Sequence, residues 1–496
     1  MRIAWERGNL GMGEGVAGDY RARALDAIKW SVSGDLLEQA IRLAFSVVLA
    51  RLLSPRDFGL IAMVTALAQM AGPLAELGLG DALVQWQEVT EAHRSSVFWV
   101  LLLAGCVWTG VQVGCATTIA SLYGVAALTP LAVILSALFI FDAIGVVPRA
   151  LLARGLEFGV IARLQCAAAV VASVSAVALA WWGFGVLGLA ADLLLTSLVE
   201  SLLLWRASRW RPRFTLRAAA LRDLLRFSTR RLGARLLNLS AAPVDRLLIG
   251  KFLGSNALGL YVRTYNVTRI PVWYVSRSIV RVMFPSLSVM QHDAARIRAV
   301  YRRAIPAVAL ATVPMCLGLL ATAEPLVVGV LGRQWQEAVP LLRILSLAGL
   351  VQSISALAAS LYLSQGRTDL QLRLALLERL SAIAAIVLGL HWGVVGVATA
   401  CVIASAFTAL PTLFFAGRLI DLRQASLVAG LWPILLAGAT MAAGVAGADA
   451  WLAPRIGMLA RLAVDVAIGI AVYWSGLRLL RVEAYGDVRR LLRHGA

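Results

Sequence analysis

Long apolar runs separated by short polar connections recur along the whole chain. Each run is about 20 residues long, which lets an α-helix cross a bilayer. The predicted spans lie near residues 30–53, 58–80, 96–119, 126–147, 160–181, 184–205, 226–252, 256–284, 303–322, 338–364, 371–390, 393–417, 425–448 and 456–477. The pattern predicts an all-α polytopic membrane protein with about 14 transmembrane helices.

Arginines crowd every second connection between these spans, whereas the connections between them contain few cations or none. The crowded connections contain Arg149, Arg154 and Arg163, then Arg206 to Arg226, then Arg296 to Arg303, then Arg367, Arg373 and Arg379. Cytoplasmic connections are rich in Lys and Arg. The alternation therefore predicts that these connections and both chain termini are cytoplasmic.

Composition changes how the strong positive charge is interpreted. The chain is 60% hydrophobic and 15% charged, with a mean hydropathy of +0.81 and a net charge of +19. A soluble protein with this charge would be a candidate for binding nucleic acid, but such apolarity excludes a soluble globular protein. Because the cations lie between spans, we interpret them as topology signals that contact anionic lipids, and we expect no nucleic-acid partner.

Two motif searches predict neither a cofactor nor a metal. The five cysteines lie inside apolar runs without Cys-x-x-Cys or histidine spacing, so we expect core thiols rather than disulfides or ligands. Gly13–Gly18 matches a dinucleotide fingerprint in form only, because no strand precedes it and no βαβ unit follows. We interpret it as part of a flexible N-terminal leader.

The chain contains an internal repeat with an offset of 200 residues. Ala50–Leu60 matches Gly250–Leu260, and Gly185–Ala190 later matches Gly393–Ala398. Duplicated halves are typical of transporters with a substrate site between the halves. An even number of spans per half gives both halves the same orientation, related by a pseudo-two-fold axis along the membrane normal.

The repeat and the basic linker predict five regions. They are a cytoplasmic tail (1–29), a six-helix N-lobe (30–205), a basic cytoplasmic linker (206–225), a six-helix C-lobe (226–418), and two further helices with a cytoplasmic tail (419–496). In the linker, Leu216, Leu221, Leu224 and Leu225 alternate with arginines. This pattern predicts an amphipathic helix on the inner membrane face.

Polar residues at helical spacing form a stripe on the first span and another on the seventh. The stripes contain Asp35, Glu38, Gln39 and Arg42 on the first span, and Arg231, Arg235 and Asn238 on the seventh. A carboxylate facing lipid costs several kcal/mol, so each stripe must face protein or water. We expect the two stripes to face one central cavity.

The eighth span has a predominantly cationic face, for which two interpretations stay open. Its members are Arg263, Asn266, Tyr274, Arg277 and Arg281, and Arg269 flanks it. The arginines near its ends either snorkel to the membrane interfaces or form a surface for a phosphate-bearing lipid or acidic sugar. Asp142 and Asp192 are similarly open to two roles, coupling to protons or sodium, or structural pairing. The sequence indicates no catalytic residue.

Several segments resemble a known family. Ala50–Met63, Glu76–Gln85, Asp245–Gly254 and Leu258–Tyr261 are similar to the Wzx-type polysaccharide and lipopolysaccharide flippases. These belong to the multidrug/oligosaccharidyl-lipid/polysaccharide (MOP) exporter superfamily, and the similarity is to its exopolysaccharide branch, which includes colanic acid and xanthan exporters.

The resemblance implies a fold and a function. The fold is two pseudo-symmetric six-helix lobes in a MATE-like V shape, with two added C-terminal helices. The function is alternating-access transfer of undecaprenyl-diphosphate-linked oligosaccharide across the bacterial inner membrane, driven by an ion gradient or by downstream polymerisation and export machinery.

Two other functions remain to be weighed. A multidrug or cation antiporter of the same superfamily would prefer an acidic or aromatic lumen, which the cationic eighth span does not favour. An integral-membrane glycan enzyme, such as a glycosyltransferase or O-antigen ligase, would usually place its reactive residues in a large periplasmic loop. The span pattern leaves no connection of that length.

Overall fold

The computed structural model describes residues 14–219, 221–225, 244–271, 277–482 and 485–486. Of residues 14–29, 32, 73–74 and 277–282 it describes the backbone alone. The described part is built from helices and contains no strand. In chain order the helices are α1 (Glu14–Leu52), α2 (Pro55–Glu76), α3 (Leu79–Gln85), α4 (Glu91–Gly114), α5 (Ala116–Tyr123), α6 (Leu128–Ser136), α7 (Leu138–Arg154), α8 (Phe158–Trp181), α9 (Val186–Ser208), α10 (Val244–Pro271), α11 (Arg277–Val289), α12 (Ala294–Ala321), α13 (Ala323–Leu326), α14 (Ala338–Ser364), α15 (Thr368–Gly389), α16 (Gly393–Leu419), α17 (Gln424–Leu452) and α18 (Met458–Leu479).

Nine helical stretches among the described residues are long and apolar enough to cross a membrane, with mean hydropathies from 1.5 to 2.3. One of them, Thr368–Leu419, is 52 residues long and contains α15 and α16, joined by the 3₁₀ turn Leu390–Trp392. The prediction of an all-α polytopic membrane protein is thus confirmed. The total of 14 spans stays a prediction.

Two element boundaries differ from those predicted. Helix α1 begins at Glu14, so residues 14–29 are helical and the flexible-leader interpretation is wrong there. No proline interrupts this segment, and good helix formers such as Ala and Arg continue into the first span. The fourth span is divided at Ala137 into α6 and α7. The predicted break between the seventh and eighth spans, by contrast, coincides with a kink in helix α10 at Gly254, whose φ of 85° suits glycine alone among common residues.

Two compact units divide the chain, and we describe each separately. The first contains the described residues up to Leu53 and those from Met63 to residue 225. In it α1 packs on α8, α8 on α9, α9 on α7 and α7 on α4. Small residues allow close approach, as where Gly145 faces Ser201 and Gly105 faces the Phe139 carbonyl.

The second unit contains Ser54–Ala62, the first turns of α2, with the described residues from Val244 onward. Its core joins α12, α14, α16, α17 and α18 around the buried Tyr301, Leu361 and Tyr362. A tyrosine hydroxyl is paired where two of these helices cross, since Tyr473 donates to the Leu310 carbonyl at 2.9 Å. The region boundaries predicted from the repeat stay a prediction.

Candidate functional site

The polar stripe of the first span lies along α1. Asp35 and Gln39 are exposed, whereas Glu38 and Arg42 are half-buried. The Arg42 Nε donates to Glu38 Oε1 at 2.8 Å, one helical turn away. The two residues are four positions apart on one helix, and this spacing alone brings their charges together.

Two predicted carboxylates of the first unit are hydrogen-bonded to serines on neighbouring helices. Asp142 on α7 accepts a hydrogen bond from Ser197 on α9. Asp192 on α9 accepts one from Ser173 on α8 at 3.1 Å. The serines orient both carboxylates, and neither hydrogen bond decides between a structural and a coupling role.

A third pair links the same helices and was not among the predicted site residues. Arg149 on α7 forms an ion pair with Glu200 on α9, and the Glu200 side chain is only 15% exposed. Glu200 also interacts electrostatically with Glu38, Arg42 and Asp142. Sequence spacing cannot reveal this connection, because the partners are 51 residues apart.

Charges from α1, α7 and α9 therefore form one cluster, which we call the N-unit charge cluster. Its carboxylates are Glu38, Asp142, Asp192 and Glu200, and its guanidiniums are Arg42 and Arg149. With every group ionised the acids outnumber the bases, so the cluster can accept a proton or attract a cation. No group of three or more His, Cys, Asp or Glu suited to a metal ion occurs among the described residues.

The cationic face of the eighth span lies on α10 in the second unit, and its members have different environments. The Arg263 guanidinium lies 5.4 Å from the centre of the Phe58 ring. Phe58 in turn packs edge-on against the fully buried Trp335, with ring centres 5.3 Å apart. Arg263 thus helps to pack the first turn of α2.

Farther along α10, Asn266 and Arg269 are exposed. The Arg269 guanidinium lies 5.6 Å from the centre of the Tyr265 ring, and Tyr265 stacks on Tyr261 with ring centres 5.7 Å apart. Arg269 also interacts electrostatically with Asp245. An exposed guanidinium on an aromatic platform has the chemistry to bind a phosphate or a sugar acid.

The remaining predicted site residues cannot be placed with their side chains. Arg231, Arg235, Asn238 and Tyr274 lie outside the described residues. Arg277 and Arg281 belong to α11, where the backbone but not these side chains is described. The meeting of the two polar stripes across a cavity therefore stays a prediction.

The linker after α9 is an extended segment, residues 209–217, which we call the arginine strap. It runs over the start of α4, where Trp99 Nε1 donates to the Arg213 carbonyl at 2.8 Å. The Arg213 N–H donates to Ser95 Oγ at 3.0 Å, and the Arg217 N–H donates to Ser96 Oγ at 2.9 Å. The strap presents Phe214, which is 91% exposed and stacks on Trp99.

The prediction of one amphipathic helix here is wrong for the strap. Side chains of α4 bind backbone groups that a helix would pair internally, and Pro212 disfavours helical geometry at Arg211. Helical residues follow at 218–219 and 221–225, and Leu224 is fully buried beside Trp210. Leu216, predicted to share its apolar face, is 65% exposed.

The fold defines the class of protein first. It matches the structure described as "Lipid II flippase MurJ, inward closed conformation" with a TM-score of 0.72, over 93% of this chain and 99% of that one, at 16% identity. It also matches an inward-facing multidrug resistance MATE transporter of the MOP superfamily with a TM-score of 0.60, over 78% of this chain and 98% of that one, at 15% identity. The chain has the MOP-superfamily transporter fold.

Sequence comparison identifies the family. The profile of the family described as "Polysaccharide biosynthesis protein" matches residues 48–340, more than half of the chain, which therefore belongs to that family. Teichuronic acid biosynthesis protein TuaB of Bacillus subtilis is 27% identical over 85% of this chain and 87% of its own length. Lipopolysaccharide biosynthesis protein WzxC of Escherichia coli is 25% identical over 74% and 75%, respectively.

A further relative is the succinoglycan biosynthesis transport protein ExoT of Rhizobium meliloti, 31% identical over 65% of each chain. The names of these relatives refer to the biosynthesis of teichuronic acid, lipopolysaccharide and succinoglycan. The family resemblance read from the sequence motifs is confirmed.

Proposed function

We propose that this protein is a flippase that transfers undecaprenyl-diphosphate-linked oligosaccharide across the bacterial inner membrane for lipopolysaccharide or exopolysaccharide synthesis. Family membership over residues 48–340 is the observation that carries the proposal. The MurJ-like fold supports it, because that structure's name describes transfer of another lipid-linked saccharide, lipid II.

In this proposal, residues that face the substrate path bind the diphosphate and the sugars, while the lipid tail stays in the bilayer. Arg269 and Asn266 support this assignment because they are exposed on α10 in a membrane-embedded fold. A guanidinium matches phosphate geometry through paired N–H donors. Asp35, Glu38, Gln39, Arg42, Arg231, Arg235 and Asn238 would complete the path, with Tyr274, Arg277 and Arg281.

The N-unit charge cluster is proposed to couple transfer to a proton or sodium gradient, with Asp142 and Asp192 as the coupling carboxylates. Its excess of acids over bases in an apolar fold supports this role. Polysaccharide polymerase and export machinery would consume the product, and anionic lipids would contact the arginine strap. The proposal needs neither a catalytic residue nor a cofactor.

The fold alone does not separate this function from multidrug transport, since MATE transporters share it. The polysaccharide names of the relatives and the exposed Arg269 favour an anionic lipid-linked substrate over a cationic drug. The relatives' names also favour transport over a glycan enzyme.

The test uses the purified full-length protein in liposomes that contain fluorescent undecaprenyl-diphosphate-linked oligosaccharide. Chemical quenching from outside reports how fast the labelled lipid changes leaflet. We expect transfer well above that of protein-free liposomes, and slower transfer of a neutral phospholipid probe. Equal rates for both probes, or efflux of cationic dyes without transfer of the glycolipid, would contradict the proposal.

A further inference from the structure

The C-terminal hairpin of α17 and α18 contains three charged side chains between its apolar helices. Asp449 lies near the end of α17, and Arg461 and Asp465 lie four residues apart on α18, so they share one helix face. Arg461 is 5% exposed and Asp465 is fully buried. Neither the candidate substrate path nor the N-unit charge cluster includes them.

Arg461 is bound to one of the two acids. Its Nε donates to Asp449 Oδ1 at 2.8 Å, and its Nη2 lies 2.6 Å from the same oxygen. Its Nη1 contacts the Met458 sulfur at 3.5 Å. A guanidinium so placed balances the negative charge of the Asp449 carboxylate. Because both close contacts use Oδ1, Asp449 Oδ2 remains as an acceptor.

Asp465 has the opposite environment. Neither of its carboxyl oxygens receives a hydrogen bond from any described residue, although both oxygens are buried. The carboxyl lies within hydrogen-bonding reach of Asp449. Two ionised carboxylates in contact repel each other, and a buried charge without a donor costs several kcal/mol. One proton removes the extra charge and supplies the missing donor.

Among the described residues, no further cation acts on Asp465 that could neutralise its charge instead of a proton. The charges that act on Asp465 are those of Asp449 and Arg461. Helix α18 also packs on α13, on the π-helix Val327–Leu331 and on α12. On α13, Glu324 lies 3.9 Å from Arg343 of α14. The π-helix contacts α18 where Gly329 faces Met458, and α12 contacts α18 where the Tyr473 hydroxyl donates to the Leu310 carbonyl. Neither of these two contacts involves a charged side chain.

We propose that Asp465 and Asp449 form a proton-binding acid pair, in which Asp465 carries the proton and donates a hydrogen bond to Asp449 Oδ2. A hard metal cation would collect about six oxygen ligands. This site offers two carboxyl groups, one of which the guanidinium already holds. With the proton bound, the two acids and Arg461 together are neutral.

The acid pair makes the stability of the hairpin depend on pH. At about pH 5, above the pKa of an exposed aspartate, an unfolded chain exposes Asp465 to water and releases the proton that the folded chain holds. The folded state therefore binds more protons, and its stability falls as the pH rises. The hairpin is most stable in acid, because loss of the proton leaves a buried unpaired charge on Asp465.

The test compares the full-length protein in lipid nanodiscs with Asp465→Asn and Asp449→Asn. Asp421→Asn is the control, because Asp421 is an exposed acid of the same unit. Infrared spectra at about pH 5, where an exposed aspartate is ionised, report protonated carboxyl groups by their C=O band. We expect a band in the parent protein that Asp465→Asn removes and Asp421→Asn keeps. Asp449→Asn should also remove it, because Asp465 then loses its acceptor and ionises against Arg461.

Thermal unfolding across a pH series gives a second measurement. The amide that Asp465→Asn introduces is nearly isosteric with the acid and can donate the same hydrogen bond, so this variant should fold and lose part of the alkaline destabilisation. Spectra in which neither Asp465→Asn nor Asp449→Asn removes a band would overturn the proposal. A stability that rises with sodium in the parent and not in Asp465→Asn would overturn it too, by assigning a metal cation to the pair.

Discussion

At the scale of single residues, the apolar surroundings decide how charged side chains behave. The stripe on α1 and the carboxylates Asp142 and Asp192 stand out in the sequence because charges are rare inside apolar runs. Their contacts do not follow from the sequence, because Arg149 and Glu200, like Asp142 and Ser197, meet only when α7 packs on α9. The sequence thus predicts which residues are special, and the fold decides what they contact.

The cationic face of α10 shows the same limit. Helical spacing places Arg269 beside the face that contains Arg263, and the sequence pattern does not show what either guanidinium contacts. The structure gives them different neighbours, since Arg263 lies over Phe58 and Arg269 is exposed over Tyr265. The neighbour of Arg263 could not be predicted, because Phe58 and the Trp335 that packs against it are distant from Arg263 in sequence.

Arg269→Ala should slow transfer of the lipid-linked glycan by about tenfold or more, because a charge-assisted hydrogen bond is worth roughly 1.5–3 kcal/mol. Arg269→Lys should recover only part of the rate if paired N–H donors matter. The liposome assay measures this, with Arg423→Ala as a control that removes an exposed arginine from the turn before α17. Normal rates in Arg269→Ala at equal protein levels would mean that Arg269 is only an interfacial anchor.

At the scale of elements, the internal repeat reappears as a packing contact in the second unit. A Cβ atom on Gly59 would collide with the Ser255 carbonyl oxygen, and one on Gly259 would collide with the Pro55 carbonyl oxygen. At the repeat offset of 200 residues Gly59 corresponds to Gly259, and Pro55 corresponds to Ser255. Each contact is therefore the repeat equivalent of the other. Such reciprocity is what a two-fold axis imposes on a contact, so the motif shared by the two halves lies where the helices touch.

Gly259→Ala should destabilise the protein by about 1–3 kcal/mol, because the added methyl group meets backbone that cannot rotate away. Gly318→Ala is the matched control, since a Cβ there would meet nothing within 4 Å. That change should be neutral or stabilising by up to about 1 kcal/mol. Thermal unfolding in detergent measures both variants. Equal stability of the two would show that the crossing of α2 and α10 is loose.

Element boundaries could be predicted only where the local sequence determines them. Trp182–Gly183 ends α8 where the apolar run suggests a turn, and Gly183 takes a φ of 87° there. The arginine strap could not be predicted, because its hydrogen-bond partners Ser95, Ser96 and Trp99 lie more than a hundred residues earlier. A pattern of arginines and leucines cannot show that the backbone has partners elsewhere.

At the scale of the whole molecule, apolar periodicity was enough to predict an all-helical membrane protein, because runs of about 20 apolar residues satisfy their backbone groups within lipid as helices. The family follows from short motifs around the repeat, such as Asp245–Gly254. The apolar periodicity alone does not indicate it. Sidedness depends on a separate property, the distribution of arginines over the connections. It can therefore be tested independently of the family.

Reporter fusions after Arg154, Arg213, Arg298 and Arg373 should report the cytoplasm, and fusions after Gly124, Gly183 and Gly332 should report the periplasm. The physical reason is that arginine-rich connections resist translocation across an energised membrane. The chosen glycines are suitable fusion points, since Gly124, Gly183 and Gly332 have positive φ and lie between helices. Alkaline phosphatase and green fluorescent protein fusions measure opposite sides, so each position has its own internal control. A periplasmic report after Arg213 would place the arginine strap on the periplasmic side of the membrane. That result would exclude its proposed contact with anionic lipids of the cytoplasmic leaflet.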